Sequence, residues 1–523
     1  MNLGKSRKVI ANSIYNNIGY FWALIVSILL TAFIIHKLGI ELFGIWILLE
    51  VMISFLSLLD FTGIGGAFVK YISEYHAKKD YENCSRVINL GWAYYTFFWI
   101  IVACFVLIFK KNILSLFDFP ANSTSSLSFV FMGILLISFI RGSFAVFRSV
   151  LLGLQRMDIT NSISILTSLV NAVGIIIFLN LGFELKGLVI SGLITAFLTS
   201  VLQTIFAFRI LPQMKFRPFS FDKIIFKKTF AYGVNIRIAS IAELINTQID
   251  KILLGLFLNT SFVGFYELGA KIAKIARSFP EQLLPAILPA SSELSALDDK
   301  DNLQKLYFRG SKSICLLAFP IVFFIISNAS FILVFWLGNT DFQQSALALQ
   351  ILSIGYTFVL LVSMGRLIAR GMGIPKYEMR SSVLMAVLNI ILSVVLIIKL
   401  GFIGALLGTT ISGFLGSIYF IYMFHRYIKE SLFSMIRKIY FHPLIFCAIS
   451  TAASLSINYL LKEFLLKDPS NRIEALYFLL INGIVFLGIY ILFLYKSRYI
   501  DKYDREILSG TLEFLKTFTR RKT

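Results

Sequence analysis

A strongly apolar stretch near the middle of this chain carries charged side chains at regular intervals. Lys271, Lys274 and Arg277 lie within two helical turns, and Glu267 and Glu281 flank them. The spacings of three and four residues place this set along one face of an α-helix. An ionised side chain at a bilayer centre costs roughly 2.5–3.5 kcal/mol, so this face must contact protein or water rather than lipid. Clustered cations in such a place predict a site that binds an anion, and ion pairing with acidic residues of two other apolar stretches, 43–69 and 229–257, stays open as the alternative.

Other apolar stretches carry isolated charges, for which two interpretations stay open. They form ion pairs that only fix helix packing, or they bind substrate or a coupling ion. Lys251 and Arg366 are expected to lie near an interface and to have little functional weight. The candidate anion-binding residues are Lys271, Lys274, Arg277, Arg237 and Arg141. The candidate coupling or gating carboxylates are Glu267, Glu281, Asp250, Glu243 and Asp60.

The elements that must hold these residues are membrane spans. Hydrophobic residues make up 58% of the 523 and charged residues 15%, which excludes a soluble protein of this length. The four Cys and four His are dispersed, so we expect no disulfide framework, no metal site and no cofactor. Each crossing of the hydrocarbon core takes about 20 apolar residues. Fourteen stretches qualify: 10–35, 43–69, 87–109, 127–149, 162–180, 187–208, 229–257, 261–289, 310–336, 343–369, 381–399, 403–425, 441–461 and 475–495.

The basic residues predict how these spans are oriented. Most of the 49 Lys and Arg fall in the N-terminus, in the loops that lead from even-numbered to odd-numbered spans, and in the C-terminal tail. This asymmetry predicts that both termini are cytoplasmic. It also accounts for the net charge of +21 without any role in binding nucleic acid. If 261–289 lay on the membrane surface, every later loop would invert, so this charged stretch is expected to cross the bilayer.

An internal repeat with an offset of about 219 residues relates the two halves of the chain. Residues 181–183 match 400–402, and 43–44 match 263–264. Six spans per copy give both copies the same orientation, as in transporters built from parallel repeats. We therefore predict an all-α membrane protein with two parallel six-helix lobes and two extra C-terminal helices. The domains are an N-terminal lobe at 1–215, a C-terminal lobe at 216–430, extra spans at 431–500 and a basic cytoplasmic tail at 501–523.

Several short motifs, in this order and spacing, carry a family resemblance. They read NSIYN at 12–16, LGIELFGIW at 38–46, LDFTGIG at 59–65 and LGLQR at 152–156. With them, the whole chain resembles the polysaccharide-transporter branch of the multidrug/oligosaccharidyl-lipid/polysaccharide flippase superfamily. The resemblance implies an inverted V of two lobes around a central cationic cavity. It also implies that the extra spans help to accommodate a polyprenyl tail.

The resemblance further implies a transport function in the bacterial cytoplasmic membrane. Such proteins move an oligosaccharide linked to a lipid diphosphate of the undecaprenyl type from the cytoplasmic to the outer leaflet by alternating access. The product feeds O-antigen, capsule or exopolysaccharide assembly, with glycan polymerase and chain-length proteins as partners. By this resemblance Lys271, Lys274 and Arg277 would contact the diphosphate.

Two alternatives stay open at the level of the sequence. A multidrug exporter of the same superfamily would carry cationic substrates and should have an acidic cavity rather than a basic one. A membrane glycan polymerase or ligase would need a sizeable external loop with catalytic residues, and the predicted external loops are short. The GxxxxGK[ST] motif is absent, so we expect an H⁺ or Na⁺ gradient, the membrane potential, or consumption of the product to drive transport.

Overall fold

The computed structural model describes residues 3–57, 64–119, 124–218, 222–282, 284, 287–465, 470–497 and 499–501. Their side chains are described except for 3–17, 64–65, 124–125, 231–239, 462 and 464–465. Within these ranges the chain forms helices joined by short turns, and no strand is present. The helices are α1 Leu3–Leu56, α2 Ile64–Ala77, α3 Tyr81–Leu114, α4 Thr124–Ser143, α5 Ala145–Gly153, α6 Met157–Asn180, α7 Glu184–Ile210, α8 Lys223–Phe257, α9 Thr260–Glu281, α10 Ile287–Ala296, α11 Lys300–Leu337, α12 Gln343–Leu361, α13 Ser363–Gly371, α14 Lys376–Leu400, α15 Phe402–Ile428, α16 Leu432–Met435, a π-turn Ile436–Tyr440, α17 Phe441–Leu465 and α18 Arg472–Lys496.

The prediction of an all-α membrane protein is confirmed. In the described part of the chain, eleven helices are long and apolar enough to cross a bilayer. Predicted spans one and two are counted together among these eleven, because two helical segments within Leu3–Leu56 follow each other without a gap. They meet at a kink at Gly39, whose φ of 76° and ψ of 171° are not helical but are tolerated by glycine. Helices α8 and α9, which correspond to spans seven and eight, are not among the eleven, because their charges lower the hydropathy. The count of fourteen crossings stays a prediction.

The first of two compact units contains residues 1–267 and 382–409. Part of its core forms where α2, α3 and α5 pack together, with Phe68, Ile72 and Phe147 almost completely buried. The side chain of Asn89 on α3 holds the segment that follows α7: its Nδ2 donates to the carbonyl of Lys215 at 3.0 Å, and its Oδ1 accepts from the amide of Arg217 at 2.9 Å. This segment is thereby fixed to the first unit.

The second unit contains residues 268–381 and 410–523. Its core is built by α11, α13, α15, α17 and α18 around the buried side chains of Phe420, Phe424 and Phe486. Helices α17 and α18, which correspond to the two extra predicted spans, pack into this unit rather than apart from it. The predicted lobes at 1–215 and 216–430 follow the sequence repeat and stay a prediction.

Two glycines at equivalent positions of the repeat meet inside the first unit. A Cβ atom at Gly44 of α1 would lie 1.8 Å from the carbonyl oxygen of Thr260, at the start of α9. A Cβ at Gly264 of α9 would lie 2.7 Å from the carbonyl oxygen of Ile40. Each helix therefore approaches the other through the same pair of positions, four residues apart, as small residues allow in membrane proteins. This reciprocal contact supports the repeat found in the sequence.

Candidate functional site

The charged face predicted around residue 271 belongs to one unbroken helix, α9. The Oδ1 atom of Asn259 accepts a hydrogen bond from the amide of Phe262 at 3.2 Å, so an Asn side chain caps the N-terminus as is usual for helices. From there the helix runs as Thr260–Glu281. The side chains of Lys271, Lys274 and Arg277 are all partly buried. The helical arrangement of the three cations is thus as predicted.

Both acidic residues of this face bond to cations. Arg277 Nε donates to Glu281 Oε1 at 2.8 Å, one helical turn away, and both side chains are about three-quarters buried. Glu267 forms an ion pair with Lys251 of α8. Lys251 also donates from Nζ to Gln248 Oε1 at 2.7 Å. The ion-pair interpretation therefore applies to part of the predicted set.

The burial of Lys251 corrects one expectation from the sequence. Lysine near the end of a span commonly extends its long side chain to the membrane interface, which is the behaviour expected above. Instead, Lys251 is buried, with a side chain that is 4% exposed. The acceptors Glu267 and Gln248 satisfy its ammonium inside the protein, so burial is tolerated.

Basic residues nevertheless outnumber acidic ones at this helix. The face of α9 and its ion-pair partner Lys251 together contribute four basic side chains and two carboxylates. Within the described residues, no hydrogen bond or ion pair joins Lys274 to an acidic side chain. The arrangement keeps an excess of positive charge on the partly buried face of α9, which suits an anionic ligand.

Asp250 lies at the centre of a second polar cluster, which is completely buried. Its Oδ1 accepts from Ser393 Oγ at 2.7 Å, and its Oδ2 accepts from Thr409 Oγ1 at 2.6 Å. The Oδ2 atom also accepts from the Tyr266 hydroxyl at 3.0 Å and from Asn389 Nδ2 at 3.4 Å. These partners come from α9, α14 and α15, and none of them is charged among the residues that the structure describes. The cluster supplies oxygen atoms of the kind that small hard cations prefer.

The remaining candidates are placed as follows. Arg141 on α4 is exposed and lies close enough to Glu50 of α1 for their charges to interact. Glu243 on α8 has an exposed side chain. The backbone of Arg237 is helical, but its side chain lies outside the described part of the structure. Asp60 lies outside the described residues, both backbone and side chain.

The neutral residues of the Asp250 cluster were not found from the sequence. Asn389 and Ser393 are separated by four residues in an otherwise apolar span, so they share one helix face. This pair of polar residues is the feature of the sequence from which a buried polar site on that helix could have been predicted. Nothing in the sequence indicated that this face turns toward Asp250, because the pairing joins residues more than 130 positions apart.

Comparison with known proteins decides the family. Residues 6–295, more than half of the chain, match the family model described as polysaccharide biosynthesis protein. The chain belongs to the polysaccharide biosynthesis protein family. Residues 236–395 of this polysaccharide biosynthesis protein also match the MatE model. The resemblance found from the sequence motifs is therefore confirmed.

Relatives of this family member include named transporters. An uncharacterized membrane protein of Methanocaldococcus jannaschii is 24% identical over 469 residues, which are 86% of this chain and 88% of that protein. A putative O-antigen transporter of Shigella flexneri is 22% identical over 352 residues, 67% of this chain and 82% of the transporter. A probable low-salt glycan biosynthesis flippase of Haloferax volcanii is 26% identical over 189 residues, 36% of this chain and 39% of the flippase.

Solved structures show the same fold. The lipid II flippase MurJ, in an inward closed conformation, superimposes with a TM-score of 0.71 at 17% identity, covering 95% of this chain and 100% of MurJ. The MATE transporter VcmN of Vibrio cholerae gives a TM-score of 0.57 at 12% identity, with 82% and 97% covered. This polysaccharide biosynthesis protein is thus a multi-pass membrane protein with a fold like those of MurJ and MATE transporters.

Proposed function

We propose that this protein is a flippase that moves a glycan, linked to a polyprenyl diphosphate of the undecaprenyl type, from the cytoplasmic to the outer leaflet. Alternating access would carry the glycan across, for O-antigen, capsule or exopolysaccharide assembly. The observation that carries the proposal is the excess of basic side chains at α9 in a protein of this family. A diphosphate is the anionic part of such a substrate, and Lys271, Lys274 and Arg277 are its proposed contacts. Arg141 and Arg237 are secondary candidates.

The proposal includes a location and partners. We place the protein in the bacterial cytoplasmic membrane with both termini in the cytoplasm, since the basic loops alternate with poorly charged ones along the sequence. Glycan polymerase and chain-length proteins would act on the product in the outer leaflet.

Asp250 is the proposed residue for energy coupling. Its carboxylate is buried against neutral donors only, so a bound H⁺ or Na⁺ would neutralise it without any change in the surrounding charges. Ion binding would then favour one conformation over another and so couple the ion gradient to transport. Glu267 and Glu281 are weaker candidates, because each already bonds to a cation. Glu243 and Asp60 stay candidates for gating.

The match to the MatE model favours a multidrug exporter as the second candidate function. The excess positive charge at α9 opposes it, because cationic drugs would be repelled there. The named relatives are transporters and flippases, so an enzymatic polymerase or ligase function receives no support from them.

Complementation of a flippase-deleted strain tests the proposed function. We expect wild-type protein to restore glycan display and to remove the lipid-linked precursor that accumulates in the deleted strain. The single substitutions Lys271→Ala, Lys274→Ala and Arg277→Ala are expected to reduce display by about tenfold each, if each removes one charge-assisted hydrogen bond to the diphosphate. Immunoblots must show equal amounts of protein.

Lys300→Ala is the matched control for these substitutions. Lys300 has a side chain that is 82% exposed at the start of α11, so the change removes one positive charge from the surface. It should leave display unchanged. Full display with all three α9 variants would refute the anion site. Failure of the wild-type protein to clear the precursor would refute the flippase function.

A further inference from the structure

The second unit contains a polar cavity that the proposed diphosphate site does not use. It has a volume of about 690 Å³, within the range of sites for small ligands, and lies between α11, α12 and α17. Its walls include the last turns of α11 and the first turns of α12. The predicted topology places the 338–342 turn between these helices on the outer side of the membrane.

The lining of this cavity is rich in carboxamides. The five Asn and Gln side chains are joined by hydroxyl groups and by aromatic rings. Among the described residues that line it, none is Asp, Glu, Lys, Arg or His. The amide side chains are Asn328, Asn339, Gln343, Gln350 and Asn458, and the aromatic residues are Phe331, Phe342 and Tyr459.

Hydrogen bonds to neighbouring helices hold two of these amides, Asn458 and Gln350, in place. Asn458 Nδ2 donates to the carbonyl of Ser327 at 3.4 Å, and its Oδ1 accepts from Asn482 on α18. Gln350 Nε2 donates to the carbonyl of Ile326 at 2.8 Å. These contacts tie α11, α12, α17 and α18 together, so the cavity wall is prepared before a ligand arrives.

Asn328 is the residue that points most directly to a ligand. It lines the cavity and is 1% exposed, and its φ of −127° interrupts the helical geometry of α11 at this position. Its Nδ2 donates to the carbonyl of Phe324 at 3.0 Å and to Ser454 Oγ at 3.4 Å. Its Oδ1 has no hydrogen-bond partner among the described residues. Buried acceptors are rarely left without a donor, so this atom marks a place in the cavity wall where a water or a ligand hydroxyl could donate.

We propose that this cavity binds uncharged sugar residues of the glycan on the outer side of the membrane. Carboxamides both donate and accept, as sugar hydroxyls do, and aromatic rings offer flat apolar surfaces to a sugar ring. A phospholipid headgroup fits less well, because no described lining residue is basic. The proposal rests on the proposed function in that the sugars come from the transported glycan. Binding there would hold the glycan after its diphosphate has left α9.

Cysteine protection tests this site on the full-length protein in nanodiscs. Gln343 and Gln344 are neighbouring exposed glutamines at the start of α12, but only Gln343 lines the cavity. Each is changed to Cys in a Cys104→Ser background, since Cys104 is the exposed cysteine among the four. The probe is the oligosaccharide released by mild acid from the host's own lipid-linked precursor, and the measured quantity is the rate of maleimide labelling.

At ten times its Kd, the glycan should slow labelling of Gln343→Cys about tenfold and leave Gln344→Cys unchanged. Inorganic diphosphate should protect neither. Equal labelling rates with and without glycan, or protection by diphosphate instead, would overturn the proposed sugar site. Equal protection at both positions would also overturn it, because binding would then not be specific to the cavity.

A second pair of variants separates this proposal from the flippase function. Gln343→Trp adds bulk at a residue that lines the cavity, and Gln344→Trp is its matched control. We expect only Gln343→Trp to abolish protection of a Cys placed at Asn339, which also lines the cavity. If glycan never protects while display still depends on Lys274, the sugar site alone is wrong. If glycan protects while the protein does not clear the lipid-linked precursor, the flippase function alone is wrong.

Discussion

At the scale of single residues, the neighbours of an intramembrane charge decide its role. Lys251 is enclosed and paired with Glu267, and this ion pair joins α8 to α9. Lys274, half-buried and without an acidic partner among the described residues, is suited to a ligand. Asp250 is buried like Lys251, but only neutral donors surround it. Lys251 and Asp250 are therefore both buried but differ in their partners, and Lys274 differs from both in burial and in partners.

The proposed coupling role of Asp250 leads to a prediction. Asp250→Asn keeps the shape of the side chain but removes its charge, so ion binding should be lost. In proteoliposomes that contain lipid-linked precursor, we expect the variant to transport at a rate that no longer responds to a Na⁺ or pH gradient. Wild-type protein should respond to one of the two gradients, and the responding gradient identifies the coupling ion.

Thr247→Val is a suitable control for this experiment. Thr247 lies one turn before Asp250 on α8, and its hydroxyl bonds only to backbone carbonyls of its own helix in the described structure. The Thr247→Val variant should respond to the Na⁺ and pH gradients as the wild-type protein does. An Asp250→Asn variant that still responds fully would remove Asp250 from the coupling mechanism.

At the scale of helices, close packing through glycine joins the two copies of the repeat. Gly44 and Gly264 allow α1 and α9 to approach each other's backbone, and any side chain at either position would collide with a carbonyl group. A backbone obstacle cannot rotate away as the end of a flexible side chain can. The requirement for glycine is therefore strict at these two positions.

Gly44→Ala should consequently destabilise the protein. The added Cβ would lie 1.8 Å from the carbonyl oxygen of Thr260, so α1 and α9 must separate to admit it. We expect a loss of about 1–3 kcal/mol, the usual cost of overpacking, measured as a lower midpoint of thermal unfolding in detergent.

Gly488→Ala on α18 provides the comparison. Apart from the neighbouring backbone of α18, no atom of the described residues lies within 4 Å of a Cβ at Gly488, and alanine favours a helix by about 1 kcal/mol over glycine. The midpoint of thermal unfolding of the Gly488→Ala variant should stay the same or rise slightly. If both alanine variants unfold at the same temperature, the close approach of α1 and α9 is not a source of stability.

At the scale of the whole molecule, the number of crossings fixes the sides on which the termini lie. An even number of spans, such as fourteen, places the two termini on the same side, whereas an odd number would place them on opposite sides. We expect a fluorescent protein fused after Thr523 to fluoresce, as it does only in the cytoplasm, and alkaline phosphatase fused after Asn339 to be active outside.

A fusion of each reporter after Asp298 calibrates this test. Residue 298 lies in the turn between α10 and α11, which the predicted topology places in the cytoplasm. The fluorescent fusion should therefore be bright there, and the phosphatase fusion inactive. An active phosphatase after Thr523 would show that the number of crossings is odd.

The sequence alone determined the membrane class, the all-helical fold and the family. Hydropathy and charge asymmetry are properties of the local sequence, and a bilayer selects helices from them directly. Helical periodicity likewise placed Lys271 and Lys274 on one face of α9, and that face is present in the structure. These features did not depend on which helices pack together.

Only the tertiary structure decided which residues meet. Periodicity defines a helix face but not the face that packs against it, because that choice depends on contacts between distant parts of the chain. The pairing of Lys251 with Glu267, the enclosure of Asp250 by Ser393 and Thr409, and the cavity around Asn328 all arise in this way. Each depends on side chains from separate helices reaching one place, which no local pattern specifies.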